Sequence, residues 1–291
     1  MAIKELSILI PTYNDLCVDL VQALQQQATL LAIDYEIIVA DDGSMCSEVI
    51  TANRAINQLS HCRLLECQKN SGRAAIRNFL IHQAQYEWLL FIDSDMVVCR
   101  EDFIQQYINT DGDVIYGGIV VRSVDKHNLR ALYEKSREDQ HTLERRQQSP
   151  YHDFHTANFM VHRDIMQKHP FDERFRYYGY EDVLLGKHLQ QDNITIHHID
   201  NPLSFEIYET NEAFVSKTEE GLHTLHQFRE ELRSYSRLLD FVEQHPVIVM
   251  LVRLWHRMTA KWERRHLCGN TPNLTIFSLY RLGYYLTLSQ E

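Results

Sequence analysis

The 291 residues are 44% hydrophobic and 24% charged, ordinary values for a folded chain, and long enough for one large domain or two modest ones. Wholesale disorder and a disulfide-stapled miniprotein are excluded. The formal charge of -11 argues against a surface built to neutralise nucleic-acid phosphates, so no nucleic-acid partner is expected and any anionic ligand must be met locally.

Apolar runs of strand length alternate with helix-length amphipathic stretches over the first hundred residues, at 6–10, 36–40, 63–66 and 88–92. Near-continuous apolar strands joined by right-handed crossovers predict an open, mostly parallel α/β sheet flanked by helices. Each strand ends in a polar cluster: Pro11-Thr12-Tyr13-Asn14, Asp41-Asp42-Gly43-Ser44, Gln68-Lys69-Asn70-Ser71-Gly72 and Asp93-Ser94-Asp95. These four clusters share one rim, the carboxyl edge where open α/β sheets bind ligands.

Residues 125–148 read as one charged helix, a long surface or lid element. A strand at 157–161 leads to Tyr178-Gly179-Tyr180-Glu181-Asp182, an amphipathic helix through Leu189 and a strand at 194–196. From Gly221 onward the pattern is helical, broken at Pro246 and around Gly269 to Pro272. The expected division is therefore a ligand-binding domain over 1–220 and a helical C-terminal extension over 221–291. The extension holds nine Lys/Arg against six Asp/Glu, +3, against -14 for residues 1–220. Within it Arg253, Arg257, Lys261, Arg264 and Arg265 recur every three or four positions beside Leu251, Leu254, Trp255, Met258 and Trp262. Two readings stand: a peripheral contact with an anionic membrane through 247–266, or an apolar face packed on the domain over 1–220, with the arginines turned to water or to a homodimer partner. Six cysteines form no CxxC pair, no secretory apolar segment precedes Lys4-Glu5, and no apolar run reaches ~18 residues. Reduced thiols and a cytoplasmic location, peripheral at most to the inner face of a membrane, are expected.

Asp93 and Asp95 stand at i and i+2 just past a buried strand, so an extended backbone projects both carboxylates to one side. Such a pair is either a solvated acidic turn or a hard-oxygen site for Mg²⁺ or Mn²⁺, ions that complete their shell with water and substrate phosphates. No GxxxxGK[ST] and no GxGxxG follows the first strand, so kinase-like and dinucleotide readings lose ground. Charge compensation for a phosphate falls to a metal and to Arg73 or Arg77.

The runs Ser7-Ile8-Leu9-Ile10-Pro11-Thr12-Tyr13-Asn14, Val39-Ala40-Asp41-Asp42-Gly43-Ser44, Asn70-Ser71-Gly72-Arg73-Ala74-Ala75-Ile76-Arg77-Asn78 and Phe91-Ile92-Asp93-Ser94-Asp95 resemble, in order, those of family 2 glycosyltransferases with the GT-A fold. Phe171-Asp172-Glu173-Arg174-Phe175 and Tyr178-Gly179-Tyr180-Glu181-Asp182 resemble the acceptor-side motif of the same family. The likeness covers roughly residues 6–220 and leaves the last 70 unexplained.

The resemblance implies a donor site for a nucleotide-sugar built from Pro11, Thr12, Tyr13, Asn14, Asp42, Asn70, Gly72, Arg77, Asp93 and Ser94. Tyr13 would stack near the base, and Asp42 would accept a hydrogen bond from a ring NH, which favours uracil. Asp95 would ligate the Mn²⁺ or Mg²⁺ directly, with Asp93 nearer the ribose and the metal's waters. A further ligand, often a His after an Asn-Pro pair, is absent: Asn201-Pro202-Leu203-Ser204 is followed by Phe205, and His197 or His198 is the substitute left to consider. Asp182 would act as base toward a hydroxyl of a glycan or lipid-linked acceptor, with inversion at the anomeric carbon, and Glu181 would orient the acceptor. Competing readings are a nucleotide-sugar-binding partner without turnover in a glycan-assembly complex and a sugar-phosphate nucleotidyltransferase. The latter would carry a Gly-rich basic loop after the first strand.

Overall fold

In the computed structural model residues 3–122, 124–138, 141–206 and 208–288 are described. In chain order the elements are β1 (Glu5–Thr12), α1 (Val18–Thr29), β2 (Asp34–Asp41), α2 (Ser47–Asn53), β3 (Cys62–Glu66), α3 (Arg73–Gln83), β4 (Trp88–Ile92), β5 (Met96–Val98), α4 (Phe103–Ile108), β6 (Val114–Tyr116) and β7 (Ile119–Val121). There follow α5 (Leu129–Glu138), α6 (Leu143–Gln148), β8 (Asn158–His162), α7 (Arg163–Lys168), α8 (Glu181–Gln191), β9 (Ile196–His198), β10 (Leu203–Phe205), α9 (Asn211–Gln227), α10 (Arg237–Gln244), α11 (Pro246–Leu267) and α12 (Leu274–Leu288).

The chain divides into two compact units, one formed by residues 1–122, 141–176 and 181–206, the other by 123–140, 177–180 and 207–291. In the first unit a seven-stranded sheet runs in the order β3-β2-β1-β4-β8-β6-β9. β1 pairs in parallel with β2, from Glu5 opposite Asp34 to Thr12 opposite Asp41, and on its other side with β4. Only β8 runs antiparallel to its neighbours. Leu6, Ile8, Leu9 and Ile10 are wholly buried, which is why β1 reads as a continuous apolar run. Because β2 and β4 leave β1 on opposite sides, the crevice above the carboxyl ends of β1, β2 and β4 lies at the reversal of strand order. The register of β8 on β4 sets Phe91 opposite Phe159, and their rings stack with centroids 4.9 Å apart. Phe154 and Phe171 meet this pair edge-on, so the centre of the core lies directly beneath the site. A second sheet, β5-β10-β7, carries the chain away from the Asp93-Ser94-Asp95 turn.

Three details depart from the sequence reading. Residues 125–148 hold two helices, α5 and α6, in different units, and neither is a simple surface element: Leu129 is fully buried and Arg146 is 4% exposed. Arg146 sits over the Tyr116 ring at 5.1 Å and donates to the Ile199 carbonyl, so a residue that looks solvated by type is a buried strut. The late strand lies at 196–198, two residues beyond its expected start. Helix α9 begins ten residues before Gly221, capped by the Thr210 hydroxyl accepting from Ala213 N, so the expected boundary at 220/221 falls inside a helix.

In the second unit Leu129, Phe214, Val215, Leu267, Phe277 and Tyr280 form a separate core. Pro246 opens α11 at a first-turn position, where its missing N–H costs nothing.

Candidate functional site

At the end of β1 the backbone turns through Asn14, a non-glycine residue at φ 58, a region that Asn tolerates better than most. Its Oδ1 accepts from Met45 N at 2.9 Å and Cys46 N at 3.0 Å, and its own N–H donates to Ser44 Oγ at 2.7 Å. Asn14 thus latches the β1 loop to the β2 loop. Buried Asn53 completes the latch by accepting from Cys17 N and donating to the Asp15 carbonyl. Pro11 and Thr12 are the last rungs of the ladder, opposite Ala40 and Asp41, and Tyr13 stands on the rim 39% exposed, a ring available for stacking.

Asp42 is 4% exposed. Oδ1 accepts from Ser71 N at 2.8 Å and Ser71 Oγ at 2.6 Å, and Oδ2 accepts from Gly72 N at 2.9 Å. A carboxylate has about four acceptor sites, so one on Oδ2 is left beyond these three. Asp42 therefore binds the β3 loop to the β2 loop while keeping an acceptor in hand. The close approach of the loops demands glycines: a Cβ on Gly43, at φ 72, would lie 2.5 Å from the Lys69 carbonyl carbon, and one on Gly72, at φ 97, would lie 2.6 Å from the Arg176 oxygen. Asn70 is exposed beside this junction.

Two arginines from the first two turns of α3 meet two carboxylates. Arg77, 1% exposed, reaches Asp93 Oδ1 at 2.6 Å and Glu181 Oε1 at 3.4 Å; Arg73, nearer the surface, reaches Asp93 Oδ2 at 3.1 Å and Glu181 Oε1 at 2.8 Å. Burial by itself would raise the Asp93 pKa, but the Arg77 and Arg73 charges outweigh it and hold the carboxyl below the usual range. Glu181, expected to orient an acceptor, here positions guanidiniums. Its Oε2 and Arg77 Nε are buried without a hydrogen-bond partner among the described residues, a cost of the kind met at functional sites. Ser94 is buried and donates to Asp15 Oδ2 at 3.0 Å, tying the β4 turn to the β1 loop.

Asp182 follows in the first turn of α8, where the helix dipole favours an anion. The chain arrives there through Gly179 at φ 89 and Tyr180 at φ 71. Asp182 Oδ2 lies 3.0 Å from His155 Nδ1, and Oδ1 accepts from Val183 N at 2.8 Å. Burial pushes the Asp182 pKa up; the His155 hydrogen bond and charge, Val183 N and Arg73 more than offset this, and the net shift is downward. The carboxylate is ionised and its rotamer is fixed from two sides.

Asp93 and Asp95 offer hard oxygen donors of the type Mg²⁺ and Mn²⁺ take. Among the described residues no group of three or more His, Cys, Asp or Glu side chains is placed to hold an ion. The donor set fits an ion that finishes its shell with phosphate and water. Phe205 is buried in β10 opposite Met96, the residue after Asp95, so the position where the resemblance expects a ligating His does adjoin the turn and presents a ring instead. His198 is engaged at both nitrogens, by the Pro150 carbonyl at 2.9 Å and by Arg146 at 3.3 Å, and burial lowers its pKa to about 4. It is a strand histidine with a structural role. His197 is exposed and lies against Gly112.

Three residues that matter here were passed over in the sequence: Asn53, His155 and, for what it does, Asn78. The buried amide of Asn78 donates to the Phe171 carbonyl and to Glu173 Oε1, both at 2.9 Å, and accepts from Phe171 N at 3.0 Å. It ties the α3 motif to the Phe171-Asp172-Glu173 segment. A polar residue on the buried side of an amphipathic helix was the available signal; His155 offered none.

The fold is GT-A type. The structure of Staphylococcus aureus TarS residues 1–349 in complex with UDP-GlcNAc aligns with 98% of this chain and 92% of its own at TM-score 0.52 and 16% identity. A mannosyltransferase from Pyrobaculum calidifontis, PcManGT, in complex with GDP-Man and Mn²⁺ aligns with 97% of this chain and 80% of its own at TM-score 0.55 and 14% identity. The chain belongs to glycosyl transferase family 2, whose sequence model matches residues 7–169. Among curated relatives, the poly(ribitol-phosphate) beta-glucosyltransferase of Bacillus spizizenii is 36% identical over 106 residues, 35% of this chain and 17% of the relative. The chondroitin synthase of Pasteurella multocida is 24% identical across 86% of this chain and 30% of its own length. The chain spans less than a third of the length of either relative.

Proposed function

We propose that this protein transfers a sugar from a nucleotide-diphosphate sugar, with UDP-sugars favoured, to a hydroxyl of a glycan or lipid-linked acceptor, with inversion, in the synthesis of a cell-surface polysaccharide or glycoconjugate. The observation that carries the reading is the meeting of an Asp42 loop, an arginine-held Asp93 and a helix-borne Asp182 in the same unit that holds the crevice over β1, β2 and β4. The names of the relatives, a glucosyltransferase and a chondroitin synthase, support the class.

In this reading Tyr13 stacks on the base and the remaining acceptor site of Asp42 Oδ2 takes a ring NH, a pairing that suits the uracil imide. Arg73, 40% exposed, lies along the diphosphate and offsets its charge as the bond to the anomeric carbon breaks, with Arg77 buried behind it against Asp93 and Glu181. A Mn²⁺ or Mg²⁺ ion held by Asp95, with Asp93 near its waters, would stabilise the departing diphosphate as a Lewis acid. Asp182 takes the proton of the acceptor hydroxyl on the face opposite the leaving group, which gives inversion. His155 keeps that carboxylate in one orientation, and Glu181 keeps the two guanidiniums in place.

The test is thermal stabilisation by a panel of nucleotide-sugars with and without Mn²⁺, followed by mass spectrometry of products with glycan acceptors. A UDP-sugar should raise the melting temperature only with the cation, and Asp95→Ala should remove that increment. Equal stabilisation in excess chelator would overturn the metal assignment. The departure at Phe205 favours one second reading, a donor-binding protein without turnover. Binding with no product from any acceptor would select it.

A further inference from the structure

Helix α11 carries apolar residues on two faces, one buried and one exposed. Its buried positions are Val249, Val252, His256, Glu263 and Leu267, and two of these are ionisable. His256 Nδ1 and Glu263 Oε2 lie 2.6 Å apart, 3% and 1% exposed, and Thr259 Oγ1 donates to the same carboxylate. The opposite face carries Met250, Leu251, Leu254, Trp255, Met258 and Trp262, each at least half exposed and Met258 86% exposed. At 100° per residue these six fall on one continuous stripe. Arg257 and Lys261 follow one flank of the stripe and Arg265 closes its C-terminal end, all three exposed. Arg264 points elsewhere, to Glu219 at 3.0 Å.

We propose that α11 is a docking surface for an anionic lipid bilayer, lying in the plane of the interface with Trp255 and Trp262 at headgroup depth and Arg257, Lys261 and Arg265 against lipid phosphates. Charge decides the occupant. A second copy of the chain paired antiparallel through this stripe would bring the two basic flanks together, and the one acidic residue within α11, Glu263, is buried and committed to His256, so it cannot offset them. A bilayer carrying negative headgroups offers the complementary charge and takes up the apolar stripe at once. A protein of net charge -11 is otherwise repelled by such a surface, which makes this face the one that selects the orientation. No helix among the described residues is long and apolar enough to cross a membrane, and the proposal needs none.

The experiment is flotation of the full chain with phosphatidylcholine vesicles and with vesicles about one-third phosphatidylglycerol, with tryptophan emission read in parallel. The chain should float with the anionic vesicles, with a blue-shifted emission, and stay behind with the neutral ones. Reversing the three charges, R257E/K261E/R265E, should lower partitioning by about a hundredfold or more. M258E should abolish both flotation and the blue shift, and because these positions are exposed, both variants should keep the wild-type melting temperature. Absence of flotation with anionic vesicles overturns the proposal, as does equal binding to neutral vesicles that survives charge reversal. A concentration-dependent dimer by light scattering, lost in M258E, assigns the face to a second copy and overturns it too.

Discussion

Arg77→Met tests whether the arginine–carboxylate cluster is one electrostatic unit. Methionine keeps most of the buried length of the side chain and removes the charge. In the native cluster two cations, Arg73 and Arg77, face two anions, Asp93 and Glu181, and three of the four side chains are less than one-fifth exposed. Without Arg77, Asp93 Oδ1 loses its 2.6 Å partner and only Arg73, 40% exposed, is left for both carboxylates. Removing one partner of a buried ion pair costs about 3–5 kcal/mol because the other charge stays buried and uncompensated. For a unit of roughly two hundred residues, with about 2–4 °C per kcal/mol, the melting temperature should fall by about 6–20 °C. The pH dependence has a sign. Asp93 is held below the usual carboxylate range by Arg77 and Arg73 against its own burial, so removing Arg77 lets burial raise its pKa. Lowering the pH then protonates Asp93 earlier in the variant, and the gap to wild type should narrow. Adding Glu181→Gln removes the surplus negative charge and should recover part of the loss, with a coupling of about 1–3 kcal/mol. A variant melting within a degree or so of wild type, or a gap that widens toward acid pH, would refute the reasoning.

Asp182→Asn should reduce transfer by ~10²- to 10⁴-fold with donor affinity unchanged, read from kcat and from donor titration; loss of donor binding would place the residue on the other side of the site. His155→Ala removes the contacts that offset burial at Asp182, so the acid limb of the rate profile should move to higher pH, whereas a limb that stays put denies His155 its positioning role. His198, lowered from 6.5 to about 4, is neutral in the fold, so protonation of the unfolded chain should remove about 2 kcal/mol of stability between pH 7 and 5. Denaturant unfolding of His198→Gln should lack that slope. Gly72→Ala forces a Cβ against the Arg176 oxygen at a φ that disfavours side chains, so it should cost at least ~1–2 kcal/mol in the denaturation midpoint and weaken donor binding by displacing the N–H held by Asp42.

Period and punctuation alone set out the parallel strands β1 to β4 and the rim they share. Strands buried on both faces must be apolar throughout, and the polar clusters at their ends have nowhere else to go. The order of motifs also named candidate residues on the loops at those strand ends. What the pattern did not contain is the use each residue makes of its neighbours. Arg146 and Glu181 are charged by type, and nothing local distinguishes a solvated charge from one buried against a partner fifty or a hundred residues away. That is decided by which strands lie side by side. His155 pairs with Asp182 across 27 residues of sequence, and Asn78 with Phe171 across 93, distances over which sequence period carries no signal. In α11 the spacing of apolar and basic residues was plain, yet spacing fixes only that the helix has two faces. The tertiary structure turns Val249, Val252 and Leu267 inward together with His256 and Glu263, which satisfy each other at 2.6 Å, a pairing that the spacing of apolar and basic residues does not announce.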